Sequence, residues 1–553
     1  MAGGLLNLTA IGNANVILTG NPTKTFFKVV YSKYTNFGLQ KFRIDYDGLR
    51  ELRLTEPSVF QFKIPRYADL LMDMYVSITL PDIWSPIYHP CSETNEQWAS
   101  YDFRWIRDLG TQIISEITIT CGSSLLQKYS GAYLAALVER DFSTDKKKVF
   151  NEMSGNTPET YDVANAYGRL NVYPSAYFTG PSETSEPSIR GRTLYIPIST
   201  WFTMDSRCAF PLVALQYNEL YVNVTLRSIQ EIFQVRDVFD HGNNYPYVQP
   251  DFTKSQFAMY RYLQTPPAVR LDTANYTNKT TTWNADVNLL ATYCFLSEEE
   301  RRQFALEDQV YLVKDVFEYN FQNVVGTKKI PLTSNGLISS WMWYFQRNDV
   351  NMRNEWSNYT NWPYRSIPND IQVAPLKSST TEFTIGPAVN PPKVGQSLGN
   401  NTGYYVTGPL SQDNIRDIMI SMGILLGGSY RENTLPLGVY QHVEKYTKSD
   451  GSAKNGLYFY NFCLNTSPFE YQPSGAINMS KFKTVELEVS TILPAVSTTD
   501  NFFGVICDID GNPIGISKSN WRLYDYTFNM TVFEERYNVV SFISGNCGML
   551  YAR

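Results

Sequence analysis

Two patterns occur in this sequence in one order and then recur in the same order. Near residue 120 the chain reads ISEITITCGSSL and near residue 420 it reads IRDIMISMGILL, so that Ile114, Ile117, Ile119 and Gly122 are spaced as Ile415, Ile418, Ile420 and Gly423. Further on, FPLVALQYNELYVNVTL (210–226) parallels QPSGAINMSKFKTVELEVS (472–490). Pro211 and Ala214 match Pro473 and Ala476, and an alternating strand follows each, after a slightly longer connection in the second copy. Unrelated chance matches need not keep their order, so the chain is read as one domain present twice. The step from Gly to Pro is 89 positions in the first copy (122 to 211) and 50 in the second (423 to 473), which places a longer insertion near 150–190 of the first domain.

Length agrees with duplication. The chain has 553 residues, whereas a single hydrophobic core stops growing at roughly 250–300 residues. The repeated unit reads as antiparallel sheet. Segments 37–45, 73–81, 114–120, 193–200, 219–226, 485–490 and 539–544 alternate with period two or are short β-rich runs, and Gly, Pro, Asn and Asp clusters separate them. Aromatics make up 14% of the chain, with 39 Tyr and 31 Phe, which fits a pleated surface. Helical periodicity is confined to two places. Phe26, Phe27, Val30, Tyr31 and Tyr34 fall on one face of a two-turn helix expected to pack on the first sandwich. SEEERRQFAL (297–306) has Ser297 as its cap and three glutamates in its first turn. The second helix is the expected hinge between domains. Residues 151–192, 228–285 and 349–412 read as long polar connections, and loops of that length usually serve a function.

Charge and motif content exclude several functions. The net charge is -6 and only 18% of residues are charged, so no broad surface neutralises phosphates. Lys146, Lys147 and Lys148 read as a solvated loop. Seven scattered cysteines without C-x-x-C form neither a disulfide framework nor a zinc pattern, and reduced, buried thiols are expected. The start MAGGLLNLTAIGNANVILTG lacks a basic n-region, and the longest apolar run, 418–428, is too short to span a bilayer, so a soluble protein made in the cytoplasm is expected. Only three histidines are present (89, 241 and 442), and no G-x-S-x-G, H-E-x-x-H or P-loop occurs. Asp508-Ile509-Asp510-Gly511-Asn512 reads as a hairpin turn rather than a calcium loop. No catalysis, metal or cofactor is expected. Trp341, Trp343, Trp356 and Trp362 leave a carbohydrate-binding or carbohydrate-active β-sandwich as the alternative, against a reading in which Trp341 and Trp343 share one face of a core strand.

Six blocks in order carry a resemblance. LTGNPTKTFFKVVYSKYTNF (18–37, after MAGGLLNL), YADLLMDMYVSITLP (67–81), YIPISTWF with FPLVALQYNELYVNVTL (195–226), YCFLSEEERRQFAL (293–306), QPSGAINMSKF with the following strand (472–490) and YNVVSFISGNCGMLYAR (537–553) resemble the major capsid proteins of nucleocytoplasmic large DNA viruses. The residues carrying the likeness include Asn21, Pro22, Phe26, Phe27, Tyr31, Asn36, Phe37, Pro211, Ala214, Gln216, Tyr217, Pro473 and Gly475.

The resemblance implies an all-β chain of two consecutive eight-stranded antiparallel jelly-roll sandwiches with a few short helices and long loops. Its divisions would be an N-terminal arm (1–24), a first jelly roll with long insertions (25–296), a linker helix (297–308) and a second jelly roll (309–553). It further implies a homotrimer forming a pseudo-hexagonal capsomer that tiles an icosahedral shell assembled in host cytoplasm. Its partners would be neighbouring capsomers and minor capsid and penton proteins, with the virion's internal membrane nearby through the minor proteins. No direct sequence-specific nucleic-acid contact is implied, and the long insertions would form outward towers.

Overall fold

The structure is a computed structural model. It describes residue 4 and residues 12–88, 99–365 and 415–551, except 171, 177–184, 241–245, 268–275, 453, 496–502, 508–512 and 519–523. Sixteen strands form its framework. The first eight are β1 (Phe37–Asp45), β2 (Ser58–Lys63), β3 (Leu70–Leu80), β4 (Ile114–Cys121), β5 (Ser124–Tyr129), β6 (Arg192–Pro197), β7 (Leu220–Leu226) and β8 (Asn288–Leu296). The second eight are β9 (Gln309–Phe321), β10 (Thr327–Pro331), β11 (Leu337–Arg347), β12 (Met419–Leu426), β13 (Ser429–Pro436), β14 (Leu457–Asn461), β15 (Val485–Thr491) and β16 (Phe528–Ile543).

Strand order makes the duplication explicit. The first sandwich pairs a sheet ordered β1-β8-β3-β6 with one ordered β2-β7-β4-β5; adding eight to each label gives the second, β9-β16-β11-β14 and β10-β15-β12-β13. All these pairings are antiparallel, and each set of eight is a jelly roll, which pairs its strands within two stacked sheets. The alternation that marks the strands is the alternation of burial. Leu220, Val222, Val224 and Leu226 of β7 point inward, as do Val485, Leu487, Val489 and Thr491 of β15.

The register corrects the sequence alignment of the repeat. Cys121 faces Leu220 as Leu426 faces Val485, so the glycine equivalent to Gly122 is Gly427, not Gly423. Gly122 N donates to Glu219 O at 2.9 Å and Gly427 N to Thr484 O at 2.8 Å, and both glycines have positive φ after their strands. Gly423 lies inside β12. Likewise Pro211 lies opposite Leu70 and Asn478 opposite Leu337, which makes Asn478 the counterpart of Pro211 in place of Pro473. The first of these matches slid a period-two pattern by four residues, which leaves its inward face unchanged.

Three helices of eight or more residues occur among the described residues: α1 (Gly131–Asp141), α2 (Thr144–Ser154) and α3 (Glu298–Leu306). Helix α3 starts on the Ser297 cap as expected, and Asp69 receives both Arg301 Nε at 2.8 Å and Leu296 N at 2.9 Å, which fixes the linker to the first sandwich. Lys146–Lys148 lie in α2 rather than in a loop. Ser143 caps that helix and Gly155, at φ +73°, ends it. Residues 26–34 form no helix and are exposed, so the expected packing on the first sandwich is absent. Two aromatic turns with no sheet beneath them bury too little to offset the cost of nucleating a helix. The hairpin expected around residue 510 pairs Phe503–Cys507 with Pro513–Lys518; its turn, 508–512, lies outside the described residues.

Candidate functional site: a seam and its open counterpart

The two sandwiches meet along a seam built on α1. This helix leaves β5 on the Ser130 cap, whose side chain accepts from Tyr133 N, and is buried over almost its whole length. Its last turn carries Arg140 and Asp141 into the second sandwich. Arg140 donates to Asp141 and Glu535 at 2.8 Å each and to Ser340 Oγ at 3.0 Å. Glu535 also accepts from Tyr133 at 2.8 Å and Ser340 at 2.7 Å, while Thr466 donates to Asp141 at 2.6 Å. Burial pushes the Glu535 carboxyl up, but the Arg140 charge and then Lys314 outweigh it and hold the group down at about 2. Burial dominates at Asp141 and raises it despite the same guanidinium. One guanidinium thus stands between two buried carboxylates of unequal acidity.

Three further contacts close the seam. Gly451 N donates to Arg140 O at 2.8 Å, and a side chain at that glycine would lie 2.5 Å from the carbonyl oxygens of both Glu139 and Arg140. Lys445 Nζ donates to Glu139 O at 2.5 Å, and burial lowers this lysine to about 8. Lys454 pairs with Asp108 at 2.8 Å, and the lysine charge holds that carboxyl well below its usual range against the opposing effect of burial. At the other end, the hairpin after β16 turns at Ser544-Gly545, and Gly545 O accepts from Gln216 N at 2.9 Å and Tyr217 N at 3.3 Å. Each buried charge faces a partner from the other sandwich, so the two units form one block.

The seam brings together the lateral side of the first sandwich that carries β5 and the side of the second that carries β9. Gln127 of β5 donates its side-chain amide to Lys314 O of β9 at 3.3 Å. Tyr311, Val313 and Asp315 of β9 are buried there. Register gives their counterparts in the first sandwich. Leu39 faces Cys294, which faces Leu70; Lys314 faces Tyr537, which faces Leu337. Leu39 therefore corresponds to Lys314, and Asn36, Gly38 and Gln40 correspond to Tyr311, Val313 and Asp315. All of these first-sandwich positions are exposed, with Leu39 at 52%. On the far side, Glu432 of β13 holds the place that Gln127 holds in β5, because Ile424 faces Glu432 and Leu487 as Ile119 faces Gln127 and Val222. Tyr430 beside it is 48% exposed. The junction used once inside the chain is left half-made at both outer sides.

The residues singled out in the sequence divide between these surfaces. Asn21, Pro22, Phe26, Phe27, Tyr31 and Asn36 lie in an exposed arm leading to Phe37, the first residue of β1, and Phe27 is 98% exposed. Pro211 is buried against β3, and Ala214, half-buried, ends the short turn after it. Gln216 and Tyr217 supply the two amides that hold Gly545. Pro473 and Gly475 are exposed, with Gly475 at φ +137° and Pro473 at a cleft of the seam beside Tyr471 and Trp201. Arg140, Glu535, Asp108 and Lys454 were not singled out; charged residues far apart in sequence give no local signal of pairing.

Three of the four tryptophans are packed into the protein rather than presented as a sugar platform. Trp341 and Trp343 are fully buried in the core on β11, and Trp341 Nε1 donates to Glu534 at 2.8 Å. Trp356 donates to Glu231 O at 2.9 Å beneath Arg227, whose guanidinium lies 4.1 Å from the ring centre. Among the described residues no group of three or more His, Cys, Asp or Glu side chains is placed to hold a metal. His442 is exposed, and His89 and His241 lie outside the described residues.

Comparison with known proteins agrees with this architecture. The family described as "Major capsid protein N-terminus" matches residues 25–296, and "Large eukaryotic DNA virus major capsid protein" matches 300–548. The major capsid protein of Phaeocystis pouchetii virus is 24% identical over the full length of both chains, and that of Paramecium bursaria Chlorella virus 1 is 22% identical, also over both full lengths. Capsid protein 1 of Acanthamoeba polyphaga mimivirus is 28% identical over 62% of this chain and 48% of its own length. Among solved structures, PBCV-1 VP54 superposes with a TM-score of 0.58 at 18% identity, covering 96% of this chain and all of VP54. The Faustovirus major capsid protein gives 0.58 at 12% identity, covering 98% of each chain. The two matched families account for nearly the whole sequence, and the double jelly roll is their shared fold: the chain belongs to the major capsid proteins of large eukaryotic DNA viruses.

Proposed function

We propose that the chain is a shell subunit that closes into a homotrimer by using its own seam again between copies. Within one chain the β5 side of the first sandwich meets the β9 side of the second. Seating the β13 side of one copy against the β1 side of the next repeats that junction. Three chains then present six like sandwiches at six like junctions, and a threefold ring acquires nearly sixfold sides that similar blocks can surround. The carrying observation is that Asn36, Gly38 and Gln40 at the β1 edge are exposed, where their counterparts Tyr311, Val313 and Asp315 at the β9 edge are buried. Edge strands left open in this way are templates for pairing and are normally covered.

The exposed arm that precedes β1 supports contacts beyond the trimer. Val16, Ile17, Leu18, Phe26, Phe27 and Val30 are all more than 60% exposed, an apolar load that a monomer rarely leaves in water. In this reading the arm lies at the base of the capsomer and meets minor capsid or penton proteins, through which the virion's internal membrane is near. The shell assembles in host cytoplasm. Light scattering after size exclusion tests the reading: three copies of a 63.2 kDa chain give a species of about 190 kDa. A stable monomer at capsomer-forming concentration contradicts it.

A further inference from the structure

The seam contains a feature unrelated to charge. Cys121, the last residue of β4 in the first sandwich, and Cys547, in the strand after the Ser544-Gly545 turn of the second, belong to one continuous buried core. Cys547 faces Phe542 of β16 in the final hairpin, and that hairpin is held on the first sandwich by the Gln216 and Tyr217 amides at Gly545 O. Gly545 sits so close that a side chain there would lie 2.8 Å from Gln216 Cβ. Gly122, next to Cys121, approaches Asn218 of the same 216–218 segment just as closely. Two backbone turns thus converge on one short segment and bring both thiols into the same part of the seam. The hydrogen bond from Cys547 lowers the Cys121 thiol, and the same contact, with burial, raises Cys547. Cys121 is therefore the nucleophilic partner and Cys547 the proton-bearing one.

We infer that Cys121 and Cys547 form a disulfide that locks the two sandwiches together when the protein meets a low-molecular-weight disulfide oxidant. The step balances as thiol–disulfide exchange. When the hairpin lifts, the Cys121 thiolate attacks one sulfur of oxidised glutathione and expels a glutathione thiolate, leaving a mixed disulfide. Cys547 then loses its proton and attacks the Cys121 sulfur, and the second glutathione leaves. Two S–H bonds are lost, one S–S bond forms, and the two electrons reside on two molecules of reduced glutathione. The bond closes a loop of 426 residues (547 − 121) and ties the last hairpin to the first sandwich. Cys208, Cys294 and Cys463 are likewise buried and free, and burial raises each of these thiols.

The test uses the whole protein at neutral pH with oxidised glutathione, followed by alkylation, unfolding, digestion and mass spectrometry without reductant. The expected result is a linked peptide joining Cys121 to Cys547, two hydrogens lighter than its parts, at least tenfold more abundant than any other cysteine pair. A faster-migrating band on a non-reducing gel should accompany it. Cys547→Ser abolishes both signals and Cys463→Ser leaves them. Separate glutathione adducts on the two thiols, or linkage of other cysteines in their place, overturns the inference. If Cys547→Ser does not fold, the linked-peptide ratio in the unaltered protein decides alone.

Discussion

Arg140, in the last turn of α1 in the first sandwich, donates to Glu535 of β16 in the second at 2.8 Å, and both side chains are withdrawn from solvent. The pair fixes the relative placement of the sandwiches because neither charge has an aqueous alternative. Removing one partner strands the other, which costs about 3–5 kcal/mol, whereas the intact pair against an apolar substitute is close to neutral. Arg140→Met is therefore expected to destabilise the chain by about that amount, measured by denaturant unfolding. Arg140→Met combined with Glu535→Leu should recover much of the loss.

Acid should act through the same carboxylate. Glu535 is held down at about 2, against roughly 4.3 for a free glutamate. The folded state then binds fewer protons than the unfolded one, so the stabilisation is complete above roughly pH 4.5 and is lost as pH falls towards 2. The depression corresponds to about 3 kcal/mol. Asp141, raised by burial, contributes with the opposite sign and makes the acid loss shallower. Unfolding of Glu535→Gln and of the unaltered protein should differ at pH 7 and converge only as the pH falls to about 2.

Gly451 tests close approach. Its backbone rests on the carbonyl end of α1, and Gly451→Ala would place a methyl group 2.5 Å from two carbonyl oxygens. Overpacking of this kind costs about 1–3 kcal/mol. Limited proteolysis should cut the variant within the seam earlier than the unaltered chain.

Leu39 separates folding from assembly. It is 52% exposed in the single chain, so Leu39→Asp should shift stability by no more than about 0.5 kcal/mol. The same substitution should abolish the species of about 190 kDa expected for three chains of 63.2 kDa.

The arm separates the trimer from larger contacts. Residues 12–34 are all exposed, and none belongs to the core of either sandwich. Deleting residues 1–34 should leave the melting temperature and the trimer intact. It should reduce incorporation into shells, counted by electron microscopy.

Much of this architecture was legible because strands reveal themselves locally. Each alternating run chosen in the sequence overlaps a strand, and 37–45 coincides with β1. The register of the repeat was not legible, because a period-two pattern shifted by four residues still matches itself. Helix α1 was missed for a related reason: GAYLAALVERD is buried on all sides, so it has no polar face to set a 3.6-residue stripe. The aromatic spacing at 26–34 misled in the opposite sense, since an arm that awaits a partner shows an apolar pattern without a surface to satisfy it. The charged seam left no trace in sequence, because Arg140 and Glu535 lie 395 positions apart.

One cross-link tests whether the seam within the chain recurs between chains. Leu39 and Glu432 hold the places that Lys314 and Gln127 hold in the intrachain junction. With Leu39→Cys and Glu432→Cys in one chain, mild oxidation should give a covalent ladder on a non-reducing gel that stops at three chains. Bands at one chain only, from protein that scatters light as an oligomer, would mean that the copies meet elsewhere.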